Sequence, residues 1–124
     1  MSKKGRDYIF FLNDILNAIK KIEMYTKDLS FEDFCHNDMA VDAVIRNFEV
    51  IGEATKNIPN KVCEKYSDVE WKEAIGFRNV LVHDYFGIDI EAAWDTIKNN
   101  ITPFKKHILG VLRSEEGEKQ PHKP

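Results

Sequence analysis

The sequence is poor in cysteine, carries no surplus of positive charge and contains no long apolar run, and each shortage removes a class of protein. Two cysteines, Cys35 and Cys63, stand in no metal-type spacing. A 43% hydrophobic chain of 124 residues needs no disulfide staple, so both are expected as reduced, packed thiols. The net charge of −3 gives no global field that would gather a polyanion. Behind Lys3 and Lys4, the apolar run Tyr8–Leu12 is only five residues long before Asn13 and Asp14 end it. That is too short for a signal peptide or a membrane span, so a cytoplasmic protein without membrane association is expected. Internal repeats, strand alternation and hairpin dipeptides are all missing.

What is present is a helical pattern. Leu12, Ile15, Leu16, Ile19 and Ile22 recur at the spacing of one helix face, which predicts a first helix over about residues 7–27. Val41, Val44, Phe48, Ile51, Thr55 and Ile58 mark a second, over about 39–58, ended by Pro59. Between them "SFEDF" reads as a short turn capped by Ser30. Ser67 and Glu70 have capping-box spacing, which predicts a third helix from Ser67 to Tyr85, stopped at Gly87. Asp89 then caps a fourth, with Ile90, Ala93, Trp94, Ile97 and Ile101 along its stripe. Pro103 either kinks it or opens a segment carrying Phe104, Ile108 and Leu112. The expected architecture is all-α, an antiparallel bundle of four or five helices in one domain over residues 1–113, with a disordered polar tail over 114–124.

Charge is unevenly spread. Seven acidic residues and one basic residue, Arg46, fall between Asp28 and Glu53. Four basic residues and no acidic ones fall between Lys98 and Arg113, with His107 among them. A polyanion would prefer the second surface; the plainer reading is two ordinary solvated faces.

The stretch "GFRNVLVHDYFGID" sets Arg78, His83 and Tyr85 in an otherwise apolar segment. Arginine forks around phosphate oxygens and histidine exchanges protons near neutral pH. Together they suffice for attack of an RNA 2′-hydroxyl on its neighbouring phosphate without a metal. On an ideal helix Asn79 and His83 share a face, so the amide can orient the imidazole. Arg78 and His83 stand about 140° and about 7.5 Å apart, which favours a site composed across a two-fold dimer. The alternative is structural: an arginine paired with an acid, a histidine capping a helix end and a half-buried tyrosine.

"RNVLVHDY" resembles the R-x4-H-x-Y signature of the HepT-like branch of the HEPN superfamily. "FLNDILNAIKKIEMYT", "AVIRNFEVIGEATKNIP" and "WKEAIGFRNVLVHDYFGIDIEAAWDTI" resemble that branch in order and spacing, over roughly residues 6–112. The resemblance implies an all-helical, homodimeric, metal-independent endoribonuclease acting as the toxin of a toxin–antitoxin pair. It also implies a minimal nucleotidyltransferase (MntA-like) antitoxin that transfers AMP to the motif tyrosine. Arg78 and His83 then become the catalytic pair, Asn79 a supporting residue and Tyr85 the modification site. No cofactor is implied.

Glu53, off the main stripe of the second helix, either orients Arg78 or His83 or forms a plain salt bridge. Arg46 and Glu49 make a surface pair. His36 with Asp38, and His83 with Asp84 and Asp89, fit no helix-face ligand pair, so no metal is expected. Phe10, Phe11, Phe48, Phe77 and Phe86, with Trp71 and Trp94, read as core or interface residues rather than base-stacking platforms. A second functional class stays open: a non-catalytic helical module that docks a nucleotidyltransferase and helps it hold substrate.

Overall fold

The structure, a computed structural model, describes residues 8–77, 82–83 and 87–119, with 82–83, 87–88 and 118–119 described by their backbone alone. Its frame is all-α. Helix α1 (Tyr8–Thr26) and α3 (Asp38–Lys56) each run for 19 residues, and their packing against one another is the most extensive among the described elements. The apolar spacing in the sequence explains this. Leu12, Ile15, Ile19 and Ile22 of α1 are fully buried, and so are Val44, Phe48 and Ile51 of α3. The short helix α2 (Phe31–Cys35) joins them, started by a reciprocal box in which the Ser30 hydroxyl accepts from the Asp33 amide and Asp33 accepts from the Ser30 amide. Asn37 caps α3 through the Ala40 amide at 3.0 Å.

Polar groups on the buried faces are satisfied locally. Thr26, Asn47, Thr55 and Thr96 each donate to the carbonyl four residues back, which removes the cost of burying an unpaired donor. Cys35 and Cys63 are free thiols, and burial pushes the Cys63 thiol above its ordinary range.

The third predicted helix is not what forms. After Pro59 a short α4 (Asn60–Lys65) appears, residues 66–69 turn, and α5 spans only Trp71–Ile75, preceded by Glu70 and followed by Gly76. Ser67 is not its cap. The physical reason lies at Val69 and Trp71, both buried. Two positions apart, they would lie about 200° around a helix from one another, so no straight helix buries both. The chain turns instead, closed by the Trp71 indole donating to the Tyr66 carbonyl at 3.0 Å.

Downstream, Val82–His83 (β1) pairs antiparallel with Gly87–Ile88 (β2), in register Val82 to Ile88 and His83 to Gly87. This two-residue ladder was not expected, and it replaces the predicted helix at His83. β-Branched valines and neighbouring aromatics fit a pleated chain better than a helix.

Helix α6 (Ile90–Asn99) follows, capped as predicted: the Asp89 carboxylate accepts from the Ala92 amide at 3.0 Å. Helix α7 (Ile101–Lys119) begins two residues after α6 ends, and Pro103 sits in its first turn, where its missing donor is harmless. Phe104 and Ile108 are fully buried, with Leu112 largely so.

The expected disordered tail is corrected over 114–119, which continues α7; residues 120–124 lie outside the described residues. What holds it is Glu115, which is 7% exposed and accepts from the Tyr8 hydroxyl, the Tyr66 hydroxyl and the Lys65 ammonium. Burial pushes the Glu115 carboxyl up, but the bonds from Tyr66, Tyr8 and Lys65 outweigh it and hold the carboxyl below its ordinary value. Tyr8 is pushed up to about 12, by burial first and then by its bond to Glu115.

Candidate active site

The motif segment is held at both ends by described structure. Upstream, α5 lies against α3 at a glycine. A Cβ built on Gly52 would stand 3.1 Å from the Ile75 carbonyl oxygen and 3.5 Å from that of Ala74. Glycine inside a helix costs roughly 1 kcal/mol relative to alanine, so its presence in α3 marks a close backbone approach. One turn earlier on α3, the Phe48 ring meets Phe77 edge-on at 5.5 Å between centroids. Phe77 meets Phe104 of α7 in the same manner at 6.0 Å. Phe77 is 5% exposed, so the chain is pinned in the core immediately before Arg78.

Downstream, the ladder fixes the backbone of His83 against Gly87, and Asp89 ties the next residues to the first turn of α6. Arg78, Asn79 and Tyr85 lie outside the described residues, as do Asp84 and Phe86. Because His83 sits in a strand, the helical projection that separated it from Arg78 and aligned it with Asn79 does not apply to it.

Glu53 is exposed, with Lys56 at 4.0 Å, a weak surface pair of the plain kind. It lines a shallow cleft of about 440 Å³ with Arg46, Glu49 and Val50, on the turn of α3 next to Gly52. The basic stretch is partly neutralised across helices. Lys105 binds Glu23 at 2.9 Å and His107 binds Glu70 at 2.9 Å, while Lys98 lies 4.6 Å over the Trp94 ring. Trp94 also packs against Phe34 and the partly exposed Phe31. Trp71, Phe48 and Phe77 are core residues, whereas Phe10 is 70% exposed. His36 turns its Nδ1 to the Glu32 carbonyl at 2.9 Å. Among the described residues no group of three His, Cys, Asp or Glu side chains converges to hold a metal, and no helix is long and apolar enough to cross a membrane.

Sequence reasoning passed over Gly52 in favour of its neighbour Glu53. The available signal was the glycine itself, standing well inside a helix of otherwise regular pattern.

The profile of the family described as Ribonuclease HepT-like matches residues 15–110. The chain belongs to that family. It is 44% identical over 108 residues to a Methanocaldococcus jannaschii protein named "Putative RNase", covering 87% of this chain and 97% of that protein. It is 41% identical over 105 residues to the "Probable ribonuclease HepT" of Thermococcus cleftensis, covering 85% of this chain and 93% of that protein. A third relative, the M. jannaschii "Gamma-glutamylcyclotransferase and putative RNase", is 42% identical over 107 residues, or 86% of this chain. The chain spans 48% of that longer protein. No solved structure matches the chain.

Proposed function

We propose that this HepT-like protein is a metal-independent endoribonuclease and the toxin of a toxin–antitoxin pair. The observation that carries the reading is the family match over residues 15–110, which encloses an intact Arg78 and His83. In the proposed reaction His83 removes the proton of an RNA 2′-hydroxyl. That oxygen forms a new bond to the adjacent phosphorus, and the bond from phosphorus to the 5′-oxygen breaks. A 2′,3′-cyclic phosphate results, the departing 5′-oxygen takes a proton from water to leave as a 5′-hydroxyl, and the hydroxide so formed takes back the proton held by His83. Arg78 grips the phosphate oxygens as charge builds on them, as a planar two-pronged donor does best. Asn79 and Glu53 are assigned supporting roles.

The site is proposed to be completed across a homodimer. With His83 in a strand, support for the dimer comes from the resemblance of the motif rather than from helical geometry.

Tyr85 is proposed as the point of control, modified by a minimal nucleotidyltransferase antitoxin. The phenol oxygen would attack the α-phosphorus of ATP and expel pyrophosphate, leaving AMP on the tyrosine. In the sequence Tyr85 stands two residues after His83 and two before Gly87, and the assignment of Tyr85 rests on the R-x4-H-x-Y resemblance. The added phosphate would repel RNA and offer Arg78 a competing anion.

The test is cleavage of a defined single-stranded RNA by the purified protein in EDTA. Arg78→Ala and His83→Ala should each abolish it, and Arg78→Lys should impair it severely. A requirement for a divalent ion would overturn the mechanism. Tyr85→Phe should still cleave yet resist neutralisation by the co-expressed antitoxin. A non-catalytic module docking a nucleotidyltransferase is the alternative, and expression of the chain alone separates the two, since only the toxin arrests growth.

A further inference from the structure

We infer that the groove between α1 and α3 binds one nucleotide of the RNA substrate, holding its phosphate with Lys21 and Arg46 and stacking its base on Tyr25; this rests on the ribonuclease reading. The two helices pack along their buried faces, and beside that seam they leave a cleft of about 380 Å³. Asp14, Asn17, Lys21 and Tyr25 line it from α1, and Arg46 and Asn47 line it from α3. The four from α1 are spaced three or four apart, so they form one stripe of that helix. The volume lies at the small end of ligand pockets, which suits a single nucleotide.

Both cations in the cleft are exposed, and neither makes an ion pair or a hydrogen bond among the described residues. Elsewhere Lys56, Lys65, Lys105 and His107 each reach a carboxylate, and Lys98 lies over an indole ring. Arg46 is the one basic residue between Asp28 and Glu53, with Asp42 and Glu49 about a turn away on either side. Those acids repel a polyanion along the rest of α3, so the contact is with one phosphate rather than a track of them.

The floor of the cleft is polar as well. Asn47 is 7% exposed, and one of its amide protons goes to the Ala43 carbonyl at 2.8 Å. Its other proton and its side-chain oxygen have no partner among the described residues and are left to whatever fills the cleft. Tyr25 is 40% exposed with its hydroxyl unbonded among those residues, whereas the hydroxyls of Tyr8 and Tyr66 are tied to Glu115.

Along α1 the order is ring, cation, amide, carboxylate, with Lys21 about 6 Å of axial rise from Tyr25 and about 10.5 Å from Asp14. A phosphate takes the two cations, a planar two-pronged donor and a point charge. The base stacks on the Tyr25 ring, as bases of single strands do on aromatic groups beside cations. Asn17 and Asn47 meet the sugar, and Asp14 accepts from a hydroxyl or an amine while turning a second phosphate away.

The experiment measures binding of a short, fluorescein-labelled single-stranded RNA by anisotropy over a range of salt concentrations. His83→Ala is the parent, so that the RNA is not consumed. Into it are built Lys21→Gln/Arg46→Gln, Tyr25→Leu and a control, Lys20→Gln/Lys61→Gln, which removes the same charge at exposed positions outside the cleft. Circular dichroism and sedimentation compare the fold and oligomeric state of each with the parent. Lys21→Gln/Arg46→Gln should bind about tenfold more weakly, and the slope of log affinity against log salt should fall by about 0.7, as for one phosphate of a single strand. Tyr25→Leu should lose at least about fivefold with the slope unchanged. The control should stay within about twofold of the parent.

Equal binding by Lys21→Gln/Arg46→Gln and the control would overturn the inference. So would a loss confined to the cations, which leaves a phosphate site and no nucleotide site. A changed oligomeric state in Lys21→Gln/Arg46→Gln would assign the cleft to an interface between copies and overturn it too. Wild type that fails to cleave the RNA, or a parent that still cleaves it, would instead overturn the ribonuclease reading, and the inference with it.

Discussion

The two ends of the motif segment are held by different kinds of force. Upstream of Arg78, Phe77 is buried between the rings of α3 and α7, and α5 rests against the bare backbone at Gly52. Downstream of Tyr85, a ladder of two residues and one half-buried carboxylate, Asp89, connect the chain to α6. Removing a buried phenyl ring costs about 3–5 kcal/mol, whereas losing a helix cap costs about 1 kcal/mol. In the proposed reaction the upstream residue is the phosphate clamp and the downstream one the proton carrier. The proposed clamp therefore follows a fixed point in the core, and the proposed modification site precedes the weaker support.

Four substitutions at three positions test this contrast. Phe77→Ala should have the largest effect, a loss of about 3–5 kcal/mol in denaturant unfolding, together with loss of cleavage. A loss below about 1 kcal/mol would show that the upstream anchor is no stronger than the downstream one.

Glu115→Ala, remote in sequence from both ends, should remove about 1–3 kcal/mol by leaving the Tyr8 hydroxyl without its acceptor and the Tyr66 hydroxyl with Ser114 alone, while kcat stays at the wild-type value. The same cluster makes stability depend on pH. Tyr8 titrates at about 12 when folded against 10.0 for a free tyrosine. Its contribution is therefore complete below about pH 10 and is lost as pH rises towards 12. The depressed Glu115 carboxyl acts in the opposite range, contributing above the ordinary carboxylate pKa and losing that contribution as pH falls through its folded value. A Glu115→Gln protein should lose the acid part of this dependence in thermal unfolding at a series of pH values.

Asp89→Ala should have the smallest effect, about 1 kcal/mol, with faster hydrogen exchange confined to the first turn of α6. Uniformly faster exchange across α3 and α7 would mean that the two ends are mechanically one unit.

The sequence revealed the long helices because each buries one face, and a single buried face writes its period into the chain. Leu12 through Ile22 and Val41 through Ile58 show this, and every one of the stripe positions quoted for those helices is buried. The caps at Ser30 and Asp89 were legible for a related reason: capping is settled within four residues. Features decided by distant partners were hidden. Val69 and Trp71 bury on opposite sides of a would-be helix, which defeats the capping-box spacing at Ser67. The ladder at His83 is too short to show alternation. Lys105 and His107 find acids 82 and 37 residues away, so the basic stretch looks more available in sequence than in space. At the site, residue identities were legible, but the contact that makes Gly52 matter is supplied by α5 and appears only in the fold.

The carboxylate of Glu115 has a consequence for synthesis. Its bond to Tyr8 spans 107 residues, close to the full length of the described chain. Helices α1 and α3, joined by a short connection, can pair as soon as both have left the ribosome, because local contacts close small loops and form early. The clamp cannot. Until residue 115 emerges, the hydroxyls of Tyr8 and Tyr66 have no carboxylate to bind, and the α1–α7 seam stands open to water and proteases. The seal is therefore made late, and a chain ended before residue 115 would keep its α1–α3 pair while lacking the bond that closes the α1–α7 seam.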